Sequence, residues 1–144
     1  MNFNQLQYHQ ETGLLYTEDE RQMGLFLHLS TLANLIIPFA GYVLPIVIWQ
    51  TQKEKMPAIE AHGKEAVNWM ISSFIYSVAG IIGAVIGAIF LVAEIPVLGV
   101  FIMAVSILFI LALSIANIAY AVIAAMKASK GDNWEYPFNI KFLK

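Results

Sequence analysis

Long stretches without charge constrain this chain more than any other feature. No Asp, Glu, Lys or Arg lies between Arg21 and Lys53, and Glu94 is the only one between Glu65 and Lys127. About 20 consecutive apolar residues cross a lipid bilayer as a helix, and both stretches are longer than that. Hydrophobic residues make up 59% of the chain and charged residues 12%, against about a quarter charged in soluble proteins. The sequence therefore predicts an all-α integral membrane protein.

The first apolar run, Met23 to Gln50, is too long for one upright span. As a straight helix its 28 residues would extend about 42 Å, whereas the hydrocarbon core is about 30 Å thick. Proline removes a helical donor and biases the preceding residue away from helix, so Pro38–Gly41 is predicted to break the run. We expect two short helices, about 18–36 and 40–54. One long tilted helix is the alternative that remains open.

The next two apolar runs, Ala66–Val92 and Val97–Met126, are each predicted to form one long helix. Ala79, Gly83 and Gly87 recur every four residues in the first of them. Small residues at this spacing form a stripe that lets another helix approach closely, so we predict a helix-packing surface there. The fold prediction is a small bundle of four helices, or three if the first run is unbroken.

Both ends of the chain are predicted to be polar or amphipathic tails. Residues 1–17 lack the basic and apolar regions of a secretory signal, so we expect them to remain as a tail. Thr17 and Glu20 have the spacing of a capping box, which predicts a helix start. Gly131 follows two lysines, as is typical of a helix end. The predicted parts are a tail over 1–17, a transmembrane helical domain over 18–131 and an amphipathic tail over 132–144.

The positions of Lys and Arg predict the orientation in the membrane. With four spans, all 8 cations lie on one side; with three spans, Arg21 lies alone on the other side. Because four spans separate the cations completely, the four-span arrangement is favoured. We therefore expect a multi-pass protein of the cell (inner) membrane, with the loop 51–65 and both termini in the cytoplasm.

A polar segment, EAHGKEAVNW at 60–69, stands directly before the second apolar run. The plain interpretation is a solvated helix entrance in which Lys64 extends to the headgroups, with Trp49 and Trp69 as interfacial anchors. Glu60 and His62 are two residues apart, so on a helix they point in different directions. The segment also lacks a His-Glu-x-x-His zinc signature, and we predict neither a metal nor a cofactor.

Two further patterns have both a structural and a functional interpretation. His28 is the one side chain within a predicted span that could titrate near neutral pH. We expect such polar groups to bond across helices, and a polar seam is the alternative. In the C-terminal tail, aromatic and apolar residues alternate with other residues from Trp134 to Phe142. This pattern predicts a strip on the headgroups or a docking strand for a partner.

Taken in order, DERQMGLFLHLS, IVIWQTQKEK, EAHGKEAVNW and AAMKASKGDNWEYPFNIKF resemble the Tic-twenty-like family of small bacterial membrane proteins. That family includes the chloroplast inner-envelope import component and, more distantly, the MamF-like magnetosome membrane proteins. The resemblance covers about residues 18–142. It is most specific at His62–Asn68 and at Tyr136–Phe138. The resemblance implies four membrane helices and marks five residues for contact with a partner: His62, Gly63, Lys64, Glu65 and Asn68.

The resemblance implies a non-enzymatic helper or subunit in protein translocation or membrane assembly. Its partners would be the lipid bilayer and other membrane proteins or a second copy. One alternative is a scaffold or regulator that forms homo-oligomers through Ala79, Gly83 and Gly87; another is a small transporter or channel accessory subunit. The net charge of −2 argues against nucleic-acid binding. The sequence shows no nucleophile with a base, no paired carboxylates and no phosphate loop, so we predict no enzymatic activity.

Overall fold

The computed structural model describes residues 7–8 and 15–144. The helical class is confirmed, and the predicted tail over 1–17 lies largely outside the described residues. A two-residue antiparallel pair joins Gln7 to Tyr16 and Tyr8 to Leu15. The elements are β1 (Gln7–Tyr8), β2 (Leu15–Tyr16), α1 (Glu18–Ser30), a 3-10 helix (Thr31–Leu35), α2 (Ala40–Gln52), α3 (Pro57–Val92) and α4 (Pro96–Ser129).

The start of α1 is the predicted capping box, and the structure confirms it. The Thr17 hydroxyl accepts a hydrogen bond from the Glu20 N–H at 3.2 Å, and Glu20 Oε2 accepts one from the Thr17 N–H at 2.9 Å. The other Glu20 oxygen accepts a bond from the Ala58 N–H at 3.2 Å. That N–H belongs to the first turn of α3, where it has no partner within its own helix. One buried carboxylate thus joins the starts of two helices.

The first apolar run differs from its prediction, because Pro38 does not interrupt a helix. α1 is continuous and already ends at Ser30. The hydroxyls of Ser30 and Thr31 donate to carbonyls three residues back, at 2.6 and 2.7 Å. These local bonds accompany a change to the tighter 3-10 helix. Pro38 lies in the turn that follows, and Phe39, with φ of 68°, precedes the start of α2.

The helices fall into two length classes. α1 and α2 have 13 residues each, which corresponds to about 20 Å, less than the hydrocarbon core of about 30 Å. α3 and α4 have 36 and 34 residues. Within the described part of the chain, these two are the helices long and apolar enough to cross a membrane. By this criterion the four predicted spans reduce to two.

The chain divides into two compact units. The first unit contains the described part of Met1–Met70 together with Ala119–Lys144, and the second unit is Ile71–Ile118. All 8 Lys and Arg residues belong to the first unit by position, and Glu94 is the charged residue of the second. The buried apolar core of the first unit consists of Leu27, Trp49, Ile59, Ala66, Val67 and Met70.

The second unit is an antiparallel helical hairpin with a tight turn. Glu94 has a left-handed backbone with φ of 60°, and the N–H of Ile95 donates to the carbonyl of Phe90 at 3.0 Å. This six-to-one bond is the Schellman arrangement that satisfies carbonyls at a helix end. Pro96 then occupies the first position of α4, where its missing N–H costs nothing.

Candidate functional site

Three buried side chains from distant parts of the chain form a hydrogen-bonded row in the first unit. His28 Nδ1 lies 2.8 Å from the Tyr136 hydroxyl, and His28 Nε2 lies 3.2 Å from His62 Nδ1. The exposed fractions are 1% for each histidine and 4% for the tyrosine. We call these three residues the histidine–tyrosine cluster. It joins α1, α3 and the C-terminal tail.

The geometry of the cluster favours neutral side chains. Both bonds form if Tyr136 donates to His28 and His28 donates to His62, or if both donations run the other way. In either case each imidazole carries a single N–H proton. Burial and then the neighbouring His62 hold the pKa of His28 well below its usual range. Burial, and after it the charge of Glu65, raises the pKa of the Tyr136 hydroxyl. Because the row is buried, we infer that it holds segments together rather than exchanging protons with solvent.

Aromatic rings enclose the tyrosine end of the cluster. Trp69 stacks on Tyr136 with 5.7 Å between ring centroids and 7° between planes. Tyr120 lies 5.0 Å from Trp69, and Trp134 lies 5.1 Å from Tyr136. Such ring pairs contribute about 0.5–1.5 kcal/mol each beyond the area they bury. The rings come from α3, α4 and the tail, so the same segments are held by both hydrogen bonds and stacking.

Two glycines give the helices of the first unit room to approach. A Cβ on Gly24 would lie 3.1 Å from both the His62 ring and the Ala128 side chain. A Cβ on Gly63 would overlap the indole of Trp49. Gly24 therefore lets α1 pass close to α3 and α4, and Gly63 provides the surface on which Trp49 lies.

The C-terminal tail is fixed to α3 by an asparagine that bonds to its backbone. Asn68 Oδ1 accepts from the N–H groups of Phe142 and Leu143 at 3.1 and 2.8 Å, and Asn68 Nδ2 donates to the Leu143 carbonyl at 2.9 Å. Asn139 Nδ2 donates to Glu65 Oε2 at 3.0 Å. We call these four bonds the tail clamp. They show that the tail lies on its own chain, where the sequence predicted a headgroup strip or a docking strand.

The five residues predicted to contact a partner lie in the first turns of α3. His62, Gly63, Glu65 and Asn68 are buried, and they contact other parts of the same chain. Lys64 is half-buried and forms an ion pair with Glu60 at 3.0 Å. The structure thus brings His62 into the cluster and Glu65 and Asn68 into the clamp, whereas Gly63 packs against Trp49. Contact with a partner stays a prediction.

The two predicted interfacial anchors have a different place in the structure. Trp49 and Trp69 are 9% and 6% exposed, so neither ring is a surface anchor. The Trp49 indole N–H donates to Glu60 Oε2 at 2.7 Å, and Trp69 stacks on Tyr136. The sequence marked Tyr136 by resemblance, but its partner His28 is 108 residues away along the chain. No local pattern could have paired them.

The predicted small-residue stripe packs within the second unit, but Gly80 lies on the packing face where Ala79 was predicted. A Cβ on Gly83 would lie 2.5 Å from Ser106 Oγ, and one on Gly87 would lie 2.8 Å from the Met103 backbone nitrogen. Ala79 is exposed, whereas Gly80 is buried against Ile110 of α4. The packing face is therefore Gly80, Gly83 and Gly87, and α4 of the same chain covers it.

The part of the chain that the structure describes contains no cluster of candidate metal ligands. No three His, Cys, Asp or Glu side chains there could together hold a metal ion. His28 and His62 are a pair, and the bonds of the cluster already use three of their four ring nitrogens.

The sequence model of the magnetosome magnetite crystal formation protein family, MamF/MmsF, matches residues 19–143. The chain belongs to this family. The matched region runs from the first turn of α1 through the cluster and the clamp. No curated protein and no solved structure matches the chain. Membership in the MamF/MmsF family confirms the magnetosome part of the resemblance, and the likeness to Tic-twenty proteins stays a prediction.

Proposed function

We propose that the protein is a non-enzymatic integral membrane protein that takes part in magnetite crystal formation at the magnetosome membrane. The family description supports the process, and the surface of the second unit supports the membrane. The observation that carries the proposal is the outward apolar face of α3 and α4. Its largest exposed side chains include Phe74, Ile81, Ile82, Val85, Ile89, Phe101, Val105, Leu108, Leu111 and Ile115.

The size of this apolar surface favours lipid over water. Removing one Val, Leu, Ile or Phe side chain from water gains about 1.5–3 kcal/mol. Contiguous apolar patches beyond a few hundred Å² mark membrane or protein contacts. In the second unit the small residues Gly80, Gly83 and Gly87 face inward and the large ones face outward. This is the distribution expected of a transmembrane hairpin.

Two spans also account for the charges. A hairpin of α3 and α4 would put all 8 Lys and Arg residues on one side of the bilayer and Glu94 on the other. Cytoplasmic segments carry the excess of cations. We therefore propose that the first unit, with both chain ends, faces the cytoplasm.

For the molecular role we propose assembly of other membrane proteins rather than chemistry. The histidine–tyrosine cluster is closed to solvent, and its bonds fix the C-terminal tail. Such a unit can present a constant surface to a partner. Lys64, half-buried at the start of α3 beside the cluster, is the predicted contact residue that remains accessible. A role in protein translocation rests on the resemblance alone.

The membrane part of the proposal can be tested by labelling single cysteines, because the chain has no native cysteine. We expect Glu94→Cys and Lys55→Cys to react with an impermeant maleimide from opposite faces of the membrane. The unmodified protein should stay in the pellet after alkaline carbonate and dissolve in detergent. Labelling of both positions from one face, or release by carbonate, would contradict two spans.

The magnetite part needs a separate experiment in a magnetite-forming host. We expect deletion of the gene to change the size distribution of the crystals in electron micrographs, and a plasmid copy to restore it. The paired variant Lys64→Glu should restore membrane insertion without restoring crystal size if the accessible Lys64 surface contacts a partner. Unchanged crystals in the deletion strain would reject the role in magnetite formation.

A further inference from the structure

We propose that α1 and α2 form a re-entrant hairpin whose turn enters the hydrocarbon of the bilayer without crossing it. The proposal rests on the proposed function, because it assumes that α3 and α4 span the membrane. The turn is strongly apolar and exposed: Leu35 is 68% exposed, Ile36 85%, Ile37 61% and Phe39 73%. We call these four residues the apolar tip. Its partner, we infer, is the acyl chains of lipid.

The charges of the hairpin lie at the end opposite to the apolar tip. α1 begins with Glu18, Asp19, Glu20 and Arg21, and Lys53 and Lys55 follow α2. No charged residue lies between Arg21 and Lys53. The hairpin therefore has one charged end and one apolar end. Its charged end, which also includes Glu54, suits the hydrated headgroup zone, whereas its tip matches hydrocarbon.

Most backbone N–H groups at the tip are bonded within the hairpin, as lipid favours. In hydrocarbon an unsatisfied N–H costs several kcal/mol, so irregular backbone is tolerated only when its groups find partners. Six N–H groups between Ile36 and Val43 donate within the hairpin, Pro38 has none to satisfy, and the N–H of Phe39 is the exception. The exposed Asn34 supplies one acceptor, its Oδ1 lying 2.9 Å from the Gly41 nitrogen. The six donors are Ile36, Ile37, Ala40, Gly41, Tyr42 and Val43.

The arms of the hairpin are too short to cross. The uncharged part of the first arm, Gln22 to Leu35, extends about 24 Å when its α and 3-10 parts are added. The second arm, Ala40 to Gln52, extends about 20 Å. Both are shorter than a hydrocarbon core of about 30 Å. The two arms pack on each other, since a Cβ on Gly41 would overlap the Thr31 carbonyl. The chain thus enters and leaves on one side.

Depth can be measured with single cysteines at three matched positions in vesicles of phosphatidylcholine and phosphatidylglycerol. Ile36→Cys reports the apolar tip, Lys55→Cys the charged end and Val85→Cys the second unit. A bimane label at position 36 should be quenched by lipids brominated on their acyl chains, as should one at position 85. An impermeant maleimide should react roughly tenfold or more slowly at 36 than at 55, because the reactive thiolate needs water.

Three results would overturn the re-entrant hairpin. Rapid labelling of position 36 from the face that labels 55 would put the tip in water. Labelling from the opposite face would show a crossing. Efficient 36-to-36 crosslinking without quenching would show that a second copy covers the tip. In each case quenching at 85 leaves the proposed function intact, whereas loss of quenching at 85 rejects the proposed function itself.

Discussion

Each of the two units of this protein is stabilised internally by a different kind of contact. In the first unit, directional hydrogen bonds join residues far apart in sequence, through the histidine–tyrosine cluster and the tail clamp. In the second unit, glycines let two helix backbones approach, and few polar groups take part. The first arrangement depends on donors, acceptors and protonation. The second depends on side-chain size. The same class of substitution should therefore have different effects in the two units.

The largest expected effect is steric and belongs to the second unit. Gly87→Leu would place its side chain against the Met103 nitrogen and the Gly99 carbonyl, which are backbone atoms that cannot turn aside. We expect a loss of about 3 kcal/mol in the free energy of unfolding, measured by circular dichroism in detergent. Ala79→Leu, at an exposed position of the same helix, is the matched control and should change little. Equal effects of the two variants would refute the assigned packing face.

The next effect is the loss of the tail clamp in the first unit. Asn68→Ala removes three bonds to the backbone of Phe142 and Leu143. We expect about 2 kcal/mol of destabilisation, because three part-buried hydrogen bonds are lost together. Hydrogen exchange at Leu143 should become faster, whereas the exposed Gln50→Ala should leave it unchanged. Slow exchange at Leu143 in the Asn68 variant would mean that other contacts hold the tail.

A smaller effect separates hydrogen bonding from stacking in the cluster. Tyr136→Phe keeps the ring beside Trp69 but removes the hydroxyl that pairs with His28 Nδ1. We expect a loss of about 1–1.5 kcal/mol in unfolding free energy. Tyr120→Phe, which keeps its ring contact with Trp69, should cost less. If both variants unfold alike, the row of hydrogen bonds adds nothing to the aromatic packing.

The smallest effect is a pH dependence that the first unit should have and the second should lack. The pKa of His28 is lowered in the folded protein by burial and by His62, and burial lowers the pKa of His62 to about 4. Below about pH 6.5 both histidines therefore bind protons more readily in the unfolded chain than in the folded one. Stability is then full above that pH and falls as pH decreases, by at most about 1.4 kcal/mol per pH unit for each histidine. Melting temperatures from pH 7.5 down to 5.5 would measure it. His28→Gln should reduce the slope by removing one of the two contributions, and an unchanged slope would contradict His28 as a source.

The predictions from sequence were accurate where the cause was local. The capping box at Thr17 and Glu20 needed only three residues of spacing, and the structure contains it. The break assigned to Pro38 was misplaced, because proline marks where a helix cannot continue and the hydroxyls of Ser30 and Thr31 act earlier. Burial of Trp49 and Trp69 was also missed. Tryptophan near a span end suits the headgroups and a packed core equally well, and composition does not distinguish them.

The packing stripe shows how a sequence pattern can be one residue off. Residues four apart differ by about 40° around a helix, so Ala79 lies about 80° from Gly87. Residues seven apart differ by only about 20°, which keeps Gly80 on the face of Gly87. The structure uses Gly80 and leaves Ala79 exposed. A constant step of four follows a ridge that winds around the helix, whereas a neighbouring helix contacts a nearly straight face.

The sequence by itself determined the helical class, the segregation of every Lys and Arg from the apolar hairpin, and the caps, because composition and short-range spacing decide these features. Only the tertiary structure decided that His28 meets His62 and Tyr136, that Asn68 holds the tail, and that α1 and α2 have only 13 residues each. Hydrogen bonds between residues 108 positions apart exist only after the chain has folded, since no local pattern records which buried donor will face which acceptor.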